Sequence, residues 1–447
     1  MNYLNYIKEN FTRVPYPVGR IVSLVPYNIR PGISSIYRKR KKEIKQLSTF
    51  DELEHKNFIF KKTKNIAVYA FQNIPFYREL YQNHEVNPEK FTCFEDLSYL
   101  PIITKKDLQE VPLEFRSNLN LSRNLANTGG SSGQPLSFYI QPSSIPHEWA
   151  HMHAIWDKLG YTQKDLKIVF GGRADVKNTI EYDAVRHQLT IDIYKSPEII
   201  ANNLHCLFKK YRPRYIHGYP SSIFDFIIWL DVNKHPLLNT LQKNIKGIFL
   251  GSEFPSPQLR DRVEKLLQCS SVSWYGHTER AVLAYEKIAK YKYSPFTSYG
   301  FSEAIQFNNT QQFELVGTSY YNQVSPLIRY NTNDLIKPTF DKGLLIDFTI
   351  SQGRNGEFII DKNGNKIYLT ALIFGRHHAI FNYVQHIQIK QDSYGSAIFF
   401  ITTNSEYSPY FLLSKMDLSN IDLDYKIEIL SEPIKTPSGK VPLLIKS

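Results

Sequence analysis

Between Lys167 and Trp274 the chain keeps a beat that few folds can accommodate. Short apolar runs, Lys167 to Phe170, Tyr215 to Ile216, Ile245 to Leu250 and Val272 to Trp274, each end in a glycine-bearing loop: Gly171-Gly172-Arg173, His217-Gly218-Tyr219-Pro220, Gly251-Ser252-Glu253 and Tyr275-Gly276. The gaps carry helical spacing. Ser196-Pro197 opens one helix, followed by Ile199, Ile200, Leu204, Leu207 and Phe208, and Ser256-Pro257 opens another with Leu259, Val263, Leu266 and Leu267. Strand alternating with helix predicts a mostly parallel sheet covered on both faces. Ligands of such sheets sit beyond the carboxyl ends of the strands, which is where the glycine loops fall.

At 447 residues the chain exceeds what one hydrophobic core usually serves. From about Tyr285 to Ile350 polar and apolar residues alternate, as in Phe313-Glu314-Leu315-Val316, which predicts antiparallel strands. Gly353-Arg354-Asn355-Gly356-Glu357 follows as a hinge, and Phe358 to Asp361 with Lys366 to Leu369 reads as a hairpin around Asn363-Gly364, the type I′ signal. The expected class is therefore α/β. A large N-terminal domain, 1–354, holds parallel sheets covered by helices plus an antiparallel section, and a small mobile α+β domain, 355–447, ends in Ser438-Gly439-Lys440. Ahead of this, Pro15, Pro17, Pro26 and Pro31 predict an irregular wrap before a basic helix, Ile74-Pro75 breaks a helical pattern, and Thr104 reads as a helix cap with Asp107.

Composition narrows the class further. With 42% apolar residues the chain is globular, and it has no apolar run near the ~20 residues of a membrane helix and no signal-peptide core, so a cytoplasmic protein is expected. Cys93, Cys206 and Cys269 match no metal or redox spacing and read as buried free thiols. The net charge of +12 would suit nucleic acid, an acidic carrier protein, an anionic membrane face or anionic small substrates such as nucleotides; the basic residues are mostly scattered, and no nucleic-acid partner is expected. The dense run Arg38-Lys39-Arg40-Lys41-Lys42 is either a solvated helix face or a contact with a membrane or carrier protein.

Two stretches carry chemistry on their face. Asn127-Thr128-Gly129-Gly130-Ser131-Ser132-Gly133-Gln134-Pro135 can turn through positive φ and converge amides and hydroxyls on one anion, and a flexible surface turn would have the same composition. It lacks the lysine of a nucleoside-triphosphatase loop. His147-Glu148-Trp149-Ala150-His151 matches the H-E-x-x-H of zinc hydrolases but has no third ligand nearby, so these residues are expected on a helix surface.

Four separated pieces complete the pattern: the Gly/Ser loop, Trp274-Tyr275-Gly276-His277-Thr278-Glu279-Arg280, Arg329 to Asp334 with Gly353-Arg354, and Ser438-Gly439-Lys440. Their order resembles the adenylate-forming superfamily of acyl-CoA synthetases and adenylation domains, and within it the phenylacetate-CoA ligase and CapK-like branch. The resemblance implies ATP and Mg²⁺, with CoA or a phosphopantetheine thiol as acceptor. Thr128, Gly129, Gly130, Ser131, Ser132 and Gly133 would hold the departing phosphates. Thr278 would bond the α-phosphate, Glu279 would bind Mg²⁺, and Gly251, Ser252, Glu253, Tyr275 and Gly276 would surround the adenosine. Asp334 and Arg354 would take the ribose hydroxyls. Lys440 would bridge the acyl carboxylate and α-phosphate. The acid would lie among Gly172, Arg173, His217, Gly218, Tyr219 and Trp274, and the lobe would pivot at Asn355 and Gly356. CapK-like relatives accompany surface-polysaccharide genes, which adds a glycan amine or hydroxyl to the acceptor classes. Gln134 stands where many relatives carry lysine or glutamate, and Gly356 where they carry an acidic residue or lysine. The rival readings are an idle nucleotide-binding protein of the same fold and a zinc hydrolase.

Overall fold

Proline placement orders the first quarter of the chain. The computed structural model describes residues 14–30, 33–128, 136–173, 176, 178–306, 313–350, 357–369, 372–373, 376, 378–384, 386–403, 405–434 and 442–445. Helix Glu52–Asn73 stops at Ile74, which in turn caps helix Pro75–Asn83. Pro75 lacks the amide that would continue the first helix and occupies a first-turn position where none is needed. Thr104 and Asp107 form the expected reciprocal cap of helix Lys105–Gln109. The segment before the basic helix Ser34–Leu47 is more regular than expected. Pro15 and Pro17 break nothing there, because they sit at the N-cap and first turn of helix Tyr16–Leu24.

Strands β1 (Asn124–Asn127) and β2 (Ser137–Ile140) pair antiparallel. Then β3 (Lys167–Gly171), β4 (Ile180–Asp183), β5 (Gln188–Asp192), β6 (Tyr215–Gly218), β7 (Gly247–Leu250), β8 (Ser270–Gly276), β9 (Leu283–Tyr285) and β10 (Ser294–Pro295) join one sheet in the order β10-β9-β8-β7-β6-β3-β5-β4. The five central strands, β5, β3, β6, β7 and β8, are parallel, and the flanking ones antiparallel. Side chains alternate across the sheet. Ile168, Ile216 and Ile248 pack under the helices Pro197–Leu207, Pro220–Val232, Leu237–Asn244 and Pro257–Leu267, whereas Tyr215, Phe249 and Val272 face helix Ile145–Asp157 through Ile155 and Trp156. Phe170, Gly218, Leu250 and Ser273 lie level across four neighbouring strands, so their following loops open at one edge.

Strands β11 (Gly300–Gln306), β12 (Phe313–Ser319), β13 (Tyr330–Asp341) and β14 (Leu344–Ile350) form the expected antiparallel sheet. Beyond it come the pair β15 (Phe358–Ile360) and β16 (Lys366–Tyr368), then a sheet ordered β19-β18-β17-β20 from β17 (His386–Ser393), β18 (Ser396–Thr402), β19 (Asp424–Leu430) and β20 (Leu444–Ile445). The turn between β15 and β16 is not type I′. Gly364 has φ +81° whereas Asn363 is not left-handed, and Asp361 Oδ1 accepts the amides of Asn363 and Asn365, building a longer loop on one carboxylate.

This last section has its own core, with Ile359, Leu372, Ile387, Phe399 and Leu412, yet the same cluster takes in Tyr194 from the loop after β5. Polar ties join there too: Lys366 Nζ and the Tyr368 hydroxyl reach Asp225 of helix Pro220–Val232, and Arg376 lies 4.2 Å over the Tyr194 ring. The thiols also differ from expectation. Cys93 and Cys206 are exposed and Cys269 is partly covered. Among the described residues, no helix is long and apolar enough to cross a membrane.

Candidate active site

Two of the glycine loops pass too close to their neighbours for a side chain. A Cβ at Gly218 would meet Phe170 O at 2.0 Å, and one at Gly251 would meet the Trp274 ring at 2.3 Å. Beside Gly251, Ser252, Glu253 and Phe254 line an open cleft together with Trp274, Tyr275, Gly276, His277, Tyr293, Asp334 and Ile350. Three segments distant in sequence thus share one cavity.

Asp334 reaches the cleft through a bulge. Val316 pairs with Asn331 and Glu314 with Leu335, so residues 332–334 of β13 oppose a single residue, and Asn333 takes φ +58°. The Asp334 Oδ2 accepts the Tyr275 hydroxyl at 2.5 Å. Burial, then the Asp334 charge beside it, pushes that hydroxyl well above its usual range, so it stays a donor. Tyr275 is 9% exposed and meets Phe348 edge-on, so its clearest service is to hold the carboxylate rather than to offer an open ring face.

The turn after β8 is closed by the Arg280 amide on His277 O, with Arg280 at φ +58°. The Val282 amide donates to His277 Nε2, which leaves Nδ1 to carry the proton toward Glu279 Oε2 at 3.2 Å. Burial alone would raise the Glu279 carboxyl; the hydrogen bond from His277, with the Lys105 charge nearby, instead holds it below the usual carboxylate range. Tyr330 donates to its other oxygen at 3.4 Å. Glu279 lines a neighbouring cavity with Arg280, Glu148, Tyr299 and Tyr321, while His277 lines the main cleft, so the turn separates the two spaces. Thr278 is exposed at its tip.

The remaining expected residues divide. Thr128 is buried at the neck of the Gly/Ser loop, where its amide donates to Leu136 O and its hydroxyl oxygen accepts the Leu136 amide, both at 2.9 Å. Its visible work is to close the loop's base. Glu253 Oε2 accepts the Ser221 amide at 3.1 Å, turning toward the first turn of helix Pro220–Val232 as well as the cleft. Gly172, Arg173, His217, Gly218 and Tyr219 do not line the described cleft. They cluster at the ends of β3 and β6, with His217 stacked 5.6 Å from Trp274 and pushed down to about 4 by burial. Gly129, Gly130, Ser131, Ser132, Gly133, Arg354, Asn355, Gly356 and Lys440 lie outside the described residues.

His151 is not on a surface, and His147 is half-buried. His151 is fully buried, its Nδ1 against His147 O at 2.7 Å and its Nε2 against Ser298 Oγ at 2.8 Å; His147 takes Arg40 Nε at 3.1 Å and stacks 3.8 Å from Tyr321. Both His151 ring nitrogens are committed, so the pair does not present two lone pairs to a metal. Sequence reasoning missed His277, Lys105 and Tyr330 as partners of Glu279. Only the adjacency of His277 in the same turn, and of Tyr330 to Arg329, could have pointed there. Arg329 itself is a clamp, bonded to Glu303 and to the carbonyls of Ser98 and Leu100.

No family profile matches the sequence. The chain is 23% identical over 432 residues to protein CapK of Staphylococcus aureus, covering 90% of this chain and 91% of that one. It is 26% identical over 297 residues to the phenylacetate-coenzyme A ligase of Pseudomonas putida, covering 60% and 63%. Among solved structures, 2-hydroxyisobutyryl-CoA ligase in the postadenylation state superposes with a TM-score of 0.54 at 17% identity, over 89% of this chain and 91% of that one. The same ligase in complex with 2-HIB-AMP and CoA gives 0.53 at 16% identity, over 89% and 90%. These superpositions show the fold.

Proposed function

As a member of the adenylate-forming superfamily, on its CapK and phenylacetate-CoA ligase-like branch, this chain is, we propose, an ATP-dependent ligase that activates a small carboxylic acid as its acyl-adenylate and passes the acyl group to the thiol of CoA. One observation carries the reading: Ser252 and Glu253, Tyr275 and Gly276, and the bulged Asp334, from three distant segments, line one cleft at the carboxyl edge of the parallel sheet.

In the first half-reaction a carboxylate oxygen of the acid bonds to the α-phosphorus of ATP as the bond to the bridging oxygen breaks and pyrophosphate leaves. The protein supplies position and charge, not a covalent group. Asp334, held by Tyr275, suits the paired hydroxyls of a ribose. Glu279 suits a hard cation, since its carboxyl is held ionised and its partners are single donors that leave lone pairs on both oxygens. A bound Mg²⁺ there would neutralise charge on the phosphates. The Gly/Ser loop would grip the leaving pyrophosphate, and Lys440 would lie between the acid and the α-phosphate.

In the second half-reaction a thiol attacks the acyl carbonyl and AMP leaves. A carrier-protein phosphopantetheine presents the same thiol, and a glycan amine or hydroxyl is the further acceptor class. The division at 355–447 belongs to this reading, with rotation about Asn355 and Gly356 exchanging the two half-reactions. So does a cytoplasmic setting, where ATP and CoA are kept.

Calorimetric titration with ATP and Mg²⁺ tests the site. Asp334→Ala is expected to weaken binding roughly 10- to 100-fold, the worth of a charge-assisted hydrogen bond or two, and Tyr275→Phe to weaken it less. Unchanged affinity in Asp334→Ala would remove the nucleotide from this cleft.

A further inference from the structure

Helix Tyr16–Leu24 is turned inside out. Its buried residues are Gly19 and Ser23, while its outward side carries Val18, Ile21 and Leu24 at 50, 67 and 56% exposure. The inward fit is tight enough to demand glycine, since a Cβ at position 19 would meet the Tyr182 hydroxyl at 2.2 Å. The apolar ridge is therefore held outward and cannot roll into the core. Val25 and Ile29 extend it, both exposed, through a turn fixed by Arg30, whose guanidinium donates to the carbonyls of Ser23, Val25 and Val185. A surface helix that hides its small residues and shows its large apolar ones has its stripe facing a second phase.

Charge identifies that phase. The Tyr27–Ile29 turn packs against the next helix, Ser34–Leu47, which buries Tyr37 and Arg40 and exposes Arg38, Lys39, Lys41, Lys42 and Lys45. Arg20 is exposed on the apolar helix itself. Glu43 is the one acidic residue between positions 14 and 47, and Arg40 and Lys62 occupy its carboxylate. An apolar ridge and a row of cations that have no acidic partner among the described residues fit a layer with anionic headgroups over hydrocarbon.

We propose that residues 16–45 form a peripheral membrane-binding surface that seats on an anionic lipid bilayer, with Val18, Ile21 and Leu24 entering the acyl boundary and the lysines of the following helix at the phosphates. It is independent of the cleft's chemistry, so its failure would leave the ligase reading untouched.

Flotation of the full-length protein with vesicles of phosphatidylcholine alone, or with added phosphatidylglycerol, tests it. The protein is expected to float with the anionic vesicles and stay behind with the neutral ones. Lys39→Gln with Lys41→Gln and Lys42→Gln should weaken binding roughly fivefold per cation removed, and raised salt should do the same. Ile21→Ser with Leu24→Ser, at outward positions, should abolish the binding that survives high salt while leaving the melting temperature unchanged. Absence of flotation, equal flotation with both vesicle types, or flotation indifferent to both variants would overturn the proposal. So would an Ile21- and Leu24-dependent dimer in sedimentation without flotation, which would give the ridge to a second copy.

Discussion

Single side chains behind the cleft carry much of its rigidity. Arg260, fully buried, bonds both Glu286 oxygens at 2.6 and 2.7 Å, and Glu286 also takes the Ser273 and Tyr291 amides, which ties helix Pro257–Leu267 to β8 just before the Tyr275 turn. Arg260→Met should destabilise the fold by about 3–5 kcal/mol in urea denaturation, because it strands a buried carboxylate, and Arg260→Met with Glu286→Leu should recover much of that loss. Buried histidines give a pH signature. Burial lowers His151 to about 3, so between that value and the unfolded value near 6.5 the unfolded chain binds the extra proton. Its contribution is complete above pH 6.5 and falls as pH drops, by about 1.4 kcal/mol per pH unit at most. Melting temperature should fall between pH 7 and pH 5, and His151→Gln should flatten the fall. A slope unchanged by that substitution would assign it to other groups. The sequence could not place this histidine. The H-E-x-x-H spacing reads as a surface stripe because the partners of His151 and His147, Ser298 and Tyr321, come from loops far along the chain.

At the scale of elements, local signals were legible where a proline or a cap decides the backbone. Ile74-Pro75 and Thr104 with Asp107 fall at the element ends their chemistry dictates. The glycine loops follow β3, β6, β7 and β8 because each ends a parallel strand. The antiparallel pair β4 and β5 was not legible, since Ile180–Asp183 and Gln188–Asp192 are short and the pairing of β5 to β3 is made across an intervening strand. The Asn363-Gly364 signal misled because Asp361 captures the turn's amides with its own side chain. The contact of β16 with helix Pro220–Val232 centres on Asp225, which both Lys366 and Tyr368 reach. Asp225→Ala should loosen the docking of the C-terminal section by roughly tenfold in its local opening equilibrium, a charge-assisted bond's worth, read as faster amide exchange across β15 and β16. Exchange no faster than in the unaltered protein would show that the apolar contact of Tyr194 holds the section unaided.

Across the whole molecule, the edge of the parallel sheet carries residues 252 and 275 to the bulge of β13, where 334 completes the cleft, and the sequence carried this as a rhythm and not as a map. It gave no sign that Tyr275 would serve Asp334, or that Glu279 would be set by His277 and Lys105, because those are contacts between loops made only once the sheets close. The ligase reading turns on a reversible half-reaction at that edge. The most direct measurement is carboxylate-dependent exchange of labelled pyrophosphate into ATP, run across a set of small carboxylic acids. At least one acid is expected to drive exchange, with Lys440→Ala and Glu279→Gln lowering the rate by about 10²–10³. Exchange independent of any acid, or undiminished in both variants, would contradict it.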